Sequence, residues 1–502
     1  MALIYGSADP QRSGEISRRV KAGTLRKLAS KLYTDELRAD PAEILRRNRQ
    51  AIAAHFYPGA VISHRSALEG KLSPAGKFHI SLQQKVAPVR KLPGLEIRIW
   101  HGPDAQTDDV RTAVQDDGTC LYIASQARAV LENFQIARAR AGDEPKTLAK
   151  DALEAWFDRQ LRILGTGGDA WLNDLLEDAR MLSQRFEWKR EFEALEEFVR
   201  ALRGKPSAYE LSSDLSRARV AGKPYDPERI ELFNELKAAL AMESFTELPA
   251  PPVSELENRA FWEAYFSNYI EGTEFSVEEA QEIVNETDTA KALQRNRPED
   301  AHDMLETYRL IIDTRTSGKV AANPQKYIEL IKIRHARMMA SRTDVRPGEF
   351  KERNNEVGSR VFVRPELVSE TTARGWQSAR DLNSATARAF FMLFVISEVH
   401  PFQDGNGRIS RLGMNAVLED AGLTRLIVPT SFRDDYLTVL EALTRNANPK
   451  PFCKFAHKLI ELNSRMPLES FDGTYAYYKK TGALDEPKQN NIDLLPFIQS
   501  NS

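Results

Sequence analysis

The sequence predicts a mainly α fold: an all-helical core carrying one β-hairpin, preceded by a small α+β region and a helical connecting stretch. Three observations carry this. From about residue 108 onward apolar residues recur at i, i+3 and i+4, as in Leu153, Trp156, Phe157, Leu161 and Leu164, the period of an amphipathic helix. Short alternating runs, Phe78–Leu82 and Leu95–Trp100, fall within the first hundred residues and read as a small sheet. Leu248-Pro249-Ala250-Pro251-Pro252 has the composition of a linker. The domain reading is therefore 1–105 for the α+β region, 106–247 for a helical connecting domain, 248–253 for the linker, 254–470 for the helical core and 471–502 for a polar tail.

A chain of 502 residues exceeds one ordinary core, so two to four domains are expected. With 42% hydrophobic and 28% charged residues the composition is that of a soluble globular protein. No apolar run approaches the roughly 20 residues of a membrane helix, and the chain turns polar straight after Met1–Tyr5, too early for a secretory leader. A cytoplasmic location without a membrane partner is the expectation. Cys120 and Cys453 offer neither a disulfide framework nor metal-ligand spacing. The net charge of -2 hides an asymmetry, because the first hundred residues hold 18 Lys/Arg against 8 Asp/Glu. Either a polyanion partner or a solvated basic surface accounts for that.

In chain order, Ser13 can cap a first helix that Gly23 breaks; Leu25–Leu28 reads as a second helical piece leading into a strand at Lys31–Thr34. Residues 108–205 are helical around a break at Gly165-Thr166-Gly167-Gly168. Beyond the linker, a helix from about Ser254 carries Phe261, Trp262, Tyr265, Phe266, Tyr269 and Ile270 and ends Ser267-Asn268-Tyr269-Ile270-Glu271-Gly272. Ser267 and Glu271 share a face at i, i+4, and Gly272 suits the C′ position. An acidic side chain in a last turn opposes the helix dipole by about 0.3 to 1 kcal/mol, so Glu271 needs a cation or open water. Arg411 is the candidate. Helices follow at 277–285, 298–317 and 325–341, then a hairpin with strands 349–353 and 359–363 around Asn354-Asn355, and closing helices over 426–462.

The most informative stretch runs from His400 to Arg411. Ala389–Ile396 is apolar on every side and reads as a buried helix, which Pro401 ends. Ile409, Leu412, Gly413, Ala416 and Val417 form the stripe of the next helix, leaving Arg408 and Arg411 together off that stripe. Gly405-Asn406-Gly407 tolerates unusual dihedrals at a helix N-terminus, where backbone N–H groups and the dipole favour a phosphate. The two arginines add guanidinium forks, Asp404 a hard oxygen for Mg²⁺, and His400 a base with an ordinary pKa near 6.5. Together these parts describe phosphoryl or nucleotidyl transfer.

The whole string matches the signature His-Pro-Phe-x-Asp-Gly-Asn-Gly-Arg-x-x-Arg, and the chain thereby resembles Fic-domain proteins, which usually move AMP from ATP to a Ser, Thr or Tyr hydroxyl. The resemblance implies His400 as general base, Asp404 as Mg²⁺ ligand, Gly405, Asn406 and Gly407 as the anion turn, Arg408 and Arg411 as phosphate clamps, and Phe402 as the loop's anchor. Ser267-x-x-x-Glu271-Gly272 resembles the family's inhibitory motif, whose glutamate pairs with the second arginine and blocks ATP. It also makes the hairpin the flap on which an extended target segment aligns its hydroxyl. ATP and Mg²⁺ are the implied cofactors, and a target protein, or the protein itself, the partner.

Ile16–Leu28 with Lys31-Leu32-Tyr33, and Pro58–Leu68, resemble the winged helix-turn-helix region of abortive-infection AbiE-type antitoxins, which implies DNA as a second partner. Three alternatives stay open on sequence: transfer of another group such as UMP, removal of AMP from a modified target, and a DNA-binding regulator in which the transfer chemistry is secondary. The oligomeric state is open as well, a homodimer among the options.

Overall fold

The computed structural model describes residues 3–7, 9–84, 87–115, 117–137, 143–286, 297–313, 315–357 and 360–486. The chain divides into two compact units, Met1–Ala221 and Gly222–Ser502. It is mainly α, with the strands of its two larger sheets in the first unit.

The first unit opens on the helix Pro10–Lys21, capped by the side chain of Asp9 accepting from the Gln11 N–H, with Pro10 in the first turn. The cap thus sits four positions before Ser13. Leu25–Leu28 is not a second helical piece: Arg26–Ala29 is a strand antiparallel to Leu32–Thr34, joined on its other edge by Leu3–Tyr5. Pairing lets Leu28 and Leu32 enter the core, which an isolated helical turn here does not achieve. A six-stranded mixed sheet follows, in the spatial order Val89–Leu92, Leu95–His101, Lys77–Leu82, Val61–Ile62, Leu121–Ile123 and Val110–Thr112. Because Val61–Ile62 pairs in parallel with Leu121–Ile123, the sheet runs past residue 105, and the predicted boundary there falls inside it. Among the described residues, five α-helices between Gln126 and Val220 complete the unit around Phe157, Leu175, Leu195 and Phe198.

The second unit begins earlier than the proline-rich stretch suggests. The helix Pro227–Met242 buries Phe233, Leu236 and Leu240 completely, and Phe233 packs edge-on against Phe391 and Phe394 at 6.0 and 6.2 Å. The predicted boundary at 248–253 therefore lies within this unit, where Leu248 O accepts from Thr424 N and Ala250 N donates to Gly422 O. At the centre stands the helix Ala385–Val399, in which every residue except Arg388 is buried, so its apolar circumference is satisfied on all sides. Packed against it are Pro365–Ala379 and Asn406–Asp420, and a Cβ on Gly375 would lie 2.6 Å from Val395, which sets how near the first of these approaches.

The hairpin is formed by Glu356–Val357 and Arg360–Val361, so the stretch 349–353 is not a strand; Ser359 lies outside the described residues. The segment from 471 is more than a tail. Its helix Phe471–Thr481 stacks Phe471 on Trp262 at 5.2 Å and buries Tyr478 against Trp262 and Phe266; residues 487–502 lie outside the described residues. Among the described residues no helix is long and apolar enough to cross a membrane.

Candidate active site

His400 is the C-cap of the central helix, with φ 53° and ψ 60°. A left-handed backbone is uncommon for a non-glycine residue and points to a position fixed by its surroundings. Its ring stacks on Phe362 with centroids 3.8 Å apart and planes at 15°, and Nδ1 lies 3.4 Å from Ser397 O. Two residues on, the fully buried Phe402 stacks on His335 at 3.8 Å. Asn406 closes the loop from inside: its Oδ1 accepts from Phe402 N and its Nδ2 donates to Phe402 O, both at 2.8 Å. His335 braces the same loop. Its Nδ1 accepts from the Gly348 N–H at 2.9 Å, so its proton is on Nε2, which donates to Asp404 O at 3.1 Å. Burial pushes the pKa of His335 down to about 4, which keeps that tautomer neutral.

Gly405, at φ 74°, begins the helix Asn406–Asp420 and supplies no side-chain cap, which leaves the first-turn amides to whatever anion arrives. In this structure an anion is already there. The Glu271 carboxylate lies on Gly407 so closely that a Cβ would stand 2.0 Å from its Oε1. The same Oε1 accepts from Arg411 Nη2 at 2.7 Å, while Ser267 accepts from Arg411 through its Oγ at 3.0 Å and its carbonyl at 2.8 Å. Arg411 is only 4% exposed, and its Nη1 is buried with no partner among the described residues.

The helix that delivers Glu271 is Leu256–Ile270. It ends in a Schellman motif: Gly272 N bonds Tyr269 O at 2.9 Å, Thr273 N bonds Asn268 O at 3.1 Å, and Gly272 has φ 91°. Arg433 Nε caps Ile270 O at 2.9 Å, so the carboxylate leaves from a helix end whose carbonyls are bonded.

Arg408 is placed differently from Arg411. Its Nη1 donates to Asp303 Oδ2 at 2.6 Å and to Asn268 Oδ1 at 3.3 Å, with the side chain 3% exposed. Asp303 also accepts from Arg342 Nε at 2.7 Å. Arg408 therefore ties the loop's helix to two neighbouring helices through Asp303 and Asn268. Asp404 is half exposed, with Oδ1 accepting from its neighbour's Gly405 N at 2.7 Å and Oδ2 3.9 Å from Arg408 Nη2. Among the described residues no cluster of three metal-ligating side chains occurs. One exposed carboxylate suits Mg²⁺, which takes one or two carboxylates and completes its shell with phosphate and water.

Residues 326–418, from the His335 helix to the end of the Arg408 and Arg411 helix, match the Fic/DOC family model. The protein has a Fic domain. The chain is 26% identical over 373 residues to the protein adenylyltransferase Fic of Culex quinquefasciatus, covering 68% of this chain and 72% of that protein. Against the protein of the same name from Nematostella vectensis it is 26% identical over 276 residues, 53% of this chain and 61% of the other. For the one from Drosophila grimshawi the identity is 25% and the chain spans about half of the relative's length, 53%. Among solved structures, a Fic-domain-containing signalling protein from Bacteroides thetaiotaomicron is similar over 49% of this chain and 98% of its own, at 18% identity and a TM-score of 0.37.

Four residues that brace the Fic loop carry no signal in the sequence. Asp303, His335, Lys351 and Phe362 lie from 38 to 105 positions away from the loop residues they hold, in segments whose local pattern shows only ordinary helix or hairpin.

Proposed function

We propose that the protein transfers AMP from ATP to a Ser, Thr or Tyr hydroxyl of a target protein or of itself, and that Glu271 holds this activity down. The Glu271 carboxylate on Gly407, paired with Arg411, carries the reading. Carboxylate and phosphate compete for the same amides and the same guanidinium, so ATP with its phosphates in the turn requires Glu271 to leave. The relatives named protein adenylyltransferase support the choice of reaction.

In the reaction, the target hydroxyl oxygen attacks the α-phosphorus, a new P–O bond forms, the bond to the β-phosphate oxygen breaks and pyrophosphate leaves. The hydroxyl proton passes to His400, whose ring plane is held by Phe362 and whose Nδ1 faces the Ser397 carbonyl. The turn at Gly405 and Gly407 and the buried Arg411 stabilise phosphate charge, with the Nη1 of Arg411, which has no partner among the described residues, available to a phosphate oxygen. Mg²⁺ would be held by Asp404 and would neutralise charge between the phosphates. Parallel incubations with ATP labelled at the α or γ position test the reading. Protein label from the α position alone, lost in His400→Ala, is the expected result; label from the γ position would mean phosphate transfer and sink it.

A second reading concerns the first unit. Arg12, Arg18, Lys21 and Lys27 are exposed on its opening helix and hairpin, which favours a polyanion such as DNA. Gel shifts with the gene's upstream DNA across salt concentration decide this, and binding no tighter than to random DNA argues against sequence-specific regulation.

A further inference from the structure

Three backbone carbonyls bracket His400, those of Val399, Pro401 and Phe402, and all three are bonded by two residues from the approach to the hairpin. The Lys351 N–H donates to Pro401 O at 3.0 Å, and its Nζ donates to Val399 O at 3.5 Å. Lys351 Nζ also donates to Asn355 Oδ1 at 2.6 Å, and Asn355 Nδ2 donates to Phe402 O at 2.9 Å. A second connection runs through the other side of the hairpin. Asn355 O accepts from Phe362 N at 3.3 Å, and the Phe362 ring is the one stacked on His400.

Lys351 is an unusual residue to find here. It is 4% exposed, and burial, with Arg229 nearby, pushes its ammonium down to about 7. Burying a lysine is unfavourable unless its donors are satisfied. Two of its three Nζ donors go to the carbonyl before His400 and to the asparagine that holds the carbonyl two residues after it.

We propose that Lys351 and Asn355 are positioning residues for His400: they fix the backbone on both sides of it and, through Phe362, the plane of its ring. The hairpin root and the base thus form one rigid unit, so a target segment docked along the hairpin meets an imidazole already in register with it. This rests on the adenylyl-transfer reading for its consequence, though not for its geometry. The left-handed backbone of His400 is the strained feature that such a clip has to hold.

Asn355→Ala and Lys351→Met, made in a Glu271→Gly parent, test this with two readouts. The first is kinetic. We expect kcat for labelling to fall about tenfold or more with KM for ATP unchanged, since misplacement by about 1 Å can lower a rate by about 10²-fold, and Lys351→Arg to retain most of the activity. The second needs no activity: carbethoxylation of His400 by diethyl pyrocarbonate, followed by mass spectrometry, should speed up several-fold as the ring is released from Phe362. Unchanged kcat and unchanged His400 reactivity overturn the proposal. So does a loss of kcat accompanied by a matching loss of melting temperature and ATP binding, which marks a merely structural clip. If the parent itself labels nothing, the adenylyl-transfer reading fails, while the modification rate of His400 still decides whether the clip holds the ring.

Discussion

The carboxylate of Glu271 rests on the backbone of Gly407, with Oε1 placed 2.0 Å from where a Cβ would be. A side chain at 407 and a carboxylate from 271 cannot share that space. Glycine admits the carboxylate here by close approach and not by its dihedrals, because Gly407 is not among the residues with positive φ.

Gly407→Ala is therefore expected to push the tip of the flexible, 27% exposed Glu271 side chain off the turn, to cost at most the charge-assisted bond to Arg411 that goes with it, about 1.5 to 3 kcal/mol, and to cost less once Glu271→Gly has removed the carboxylate. A double-mutant cycle on urea unfolding should return a coupling of about 0.5 to 3 kcal/mol. Additive costs would show that the two residues do not touch.

Asp303 is fully buried and shares one oxygen between Arg408 and Arg342. Asp303→Ala takes its close carboxylate from Arg408, 3% exposed and left with Asn268 Oδ1 at 3.3 Å and Asp404 Oδ2 at 3.9 Å, while Arg342 keeps Asp300 and Glu299. Removing one partner of a buried pair costs about 3 to 5 kcal/mol. The expected result is a lowered urea midpoint with a smaller loss for Asp303→Asn, which keeps an acceptor oxygen. A loss below about 1 kcal/mol for the alanine variant would mean that water reaches Arg408.

His335 supplies a pH dependence of known sign. Its folded pKa, about 4, lies below the ordinary 6.5, so the unfolded chain binds the proton first as pH falls. The stability it contributes is complete above pH 6.5 and is lost between 6.5 and about 4, by up to about 1.4 kcal/mol per pH unit. His335→Gln should flatten unfolding free energy against pH by one proton's worth in that window. An unchanged slope would show that His335 is accessible to the proton in the folded state.

The sequence made the loop legible because its chemistry is written in consecutive residues: apolar helix, proline, glycine turn, paired arginines. The position of Glu271 could also be read, because an acidic residue before a C′ glycine needs a cation and the resemblance of Ser267-x-x-x-Glu271-Gly272 to the inhibitory motif pointed to Arg411. The partner of Arg408 could not be read, for the complementary reason. Its partner Asp303 lies on an ordinary amphipathic helix, and nothing local distinguishes an aspartate that will be buried from one that will face water. Leu25–Leu28 shows the limit in secondary structure, since four residues with two apolar positions suit a helical turn as well as a strand until Leu32–Thr34 pairs with them. The boundary at 248–253 followed from its prolines, yet an extended proline-rich segment can also lie pinned on a core, as the bonds of Leu248 and Ala250 to the 422–424 turn show.

Inhibition of adenylyl transfer by Glu271 is the central proposal. The measurement is incorporation of label from α-labelled ATP into protein, in cell extract with Mg²⁺, by the native chain, by Glu271→Gly, and by Glu271→Gly with His400→Ala. A hydrogen bond between charged groups contributes about 1.5 to 3 kcal/mol, so its removal should raise labelling about tenfold to a hundredfold, and loss of His400 should return it to background. Equal labelling by the native and Glu271→Gly chains, or label that persists without His400, would contradict the account.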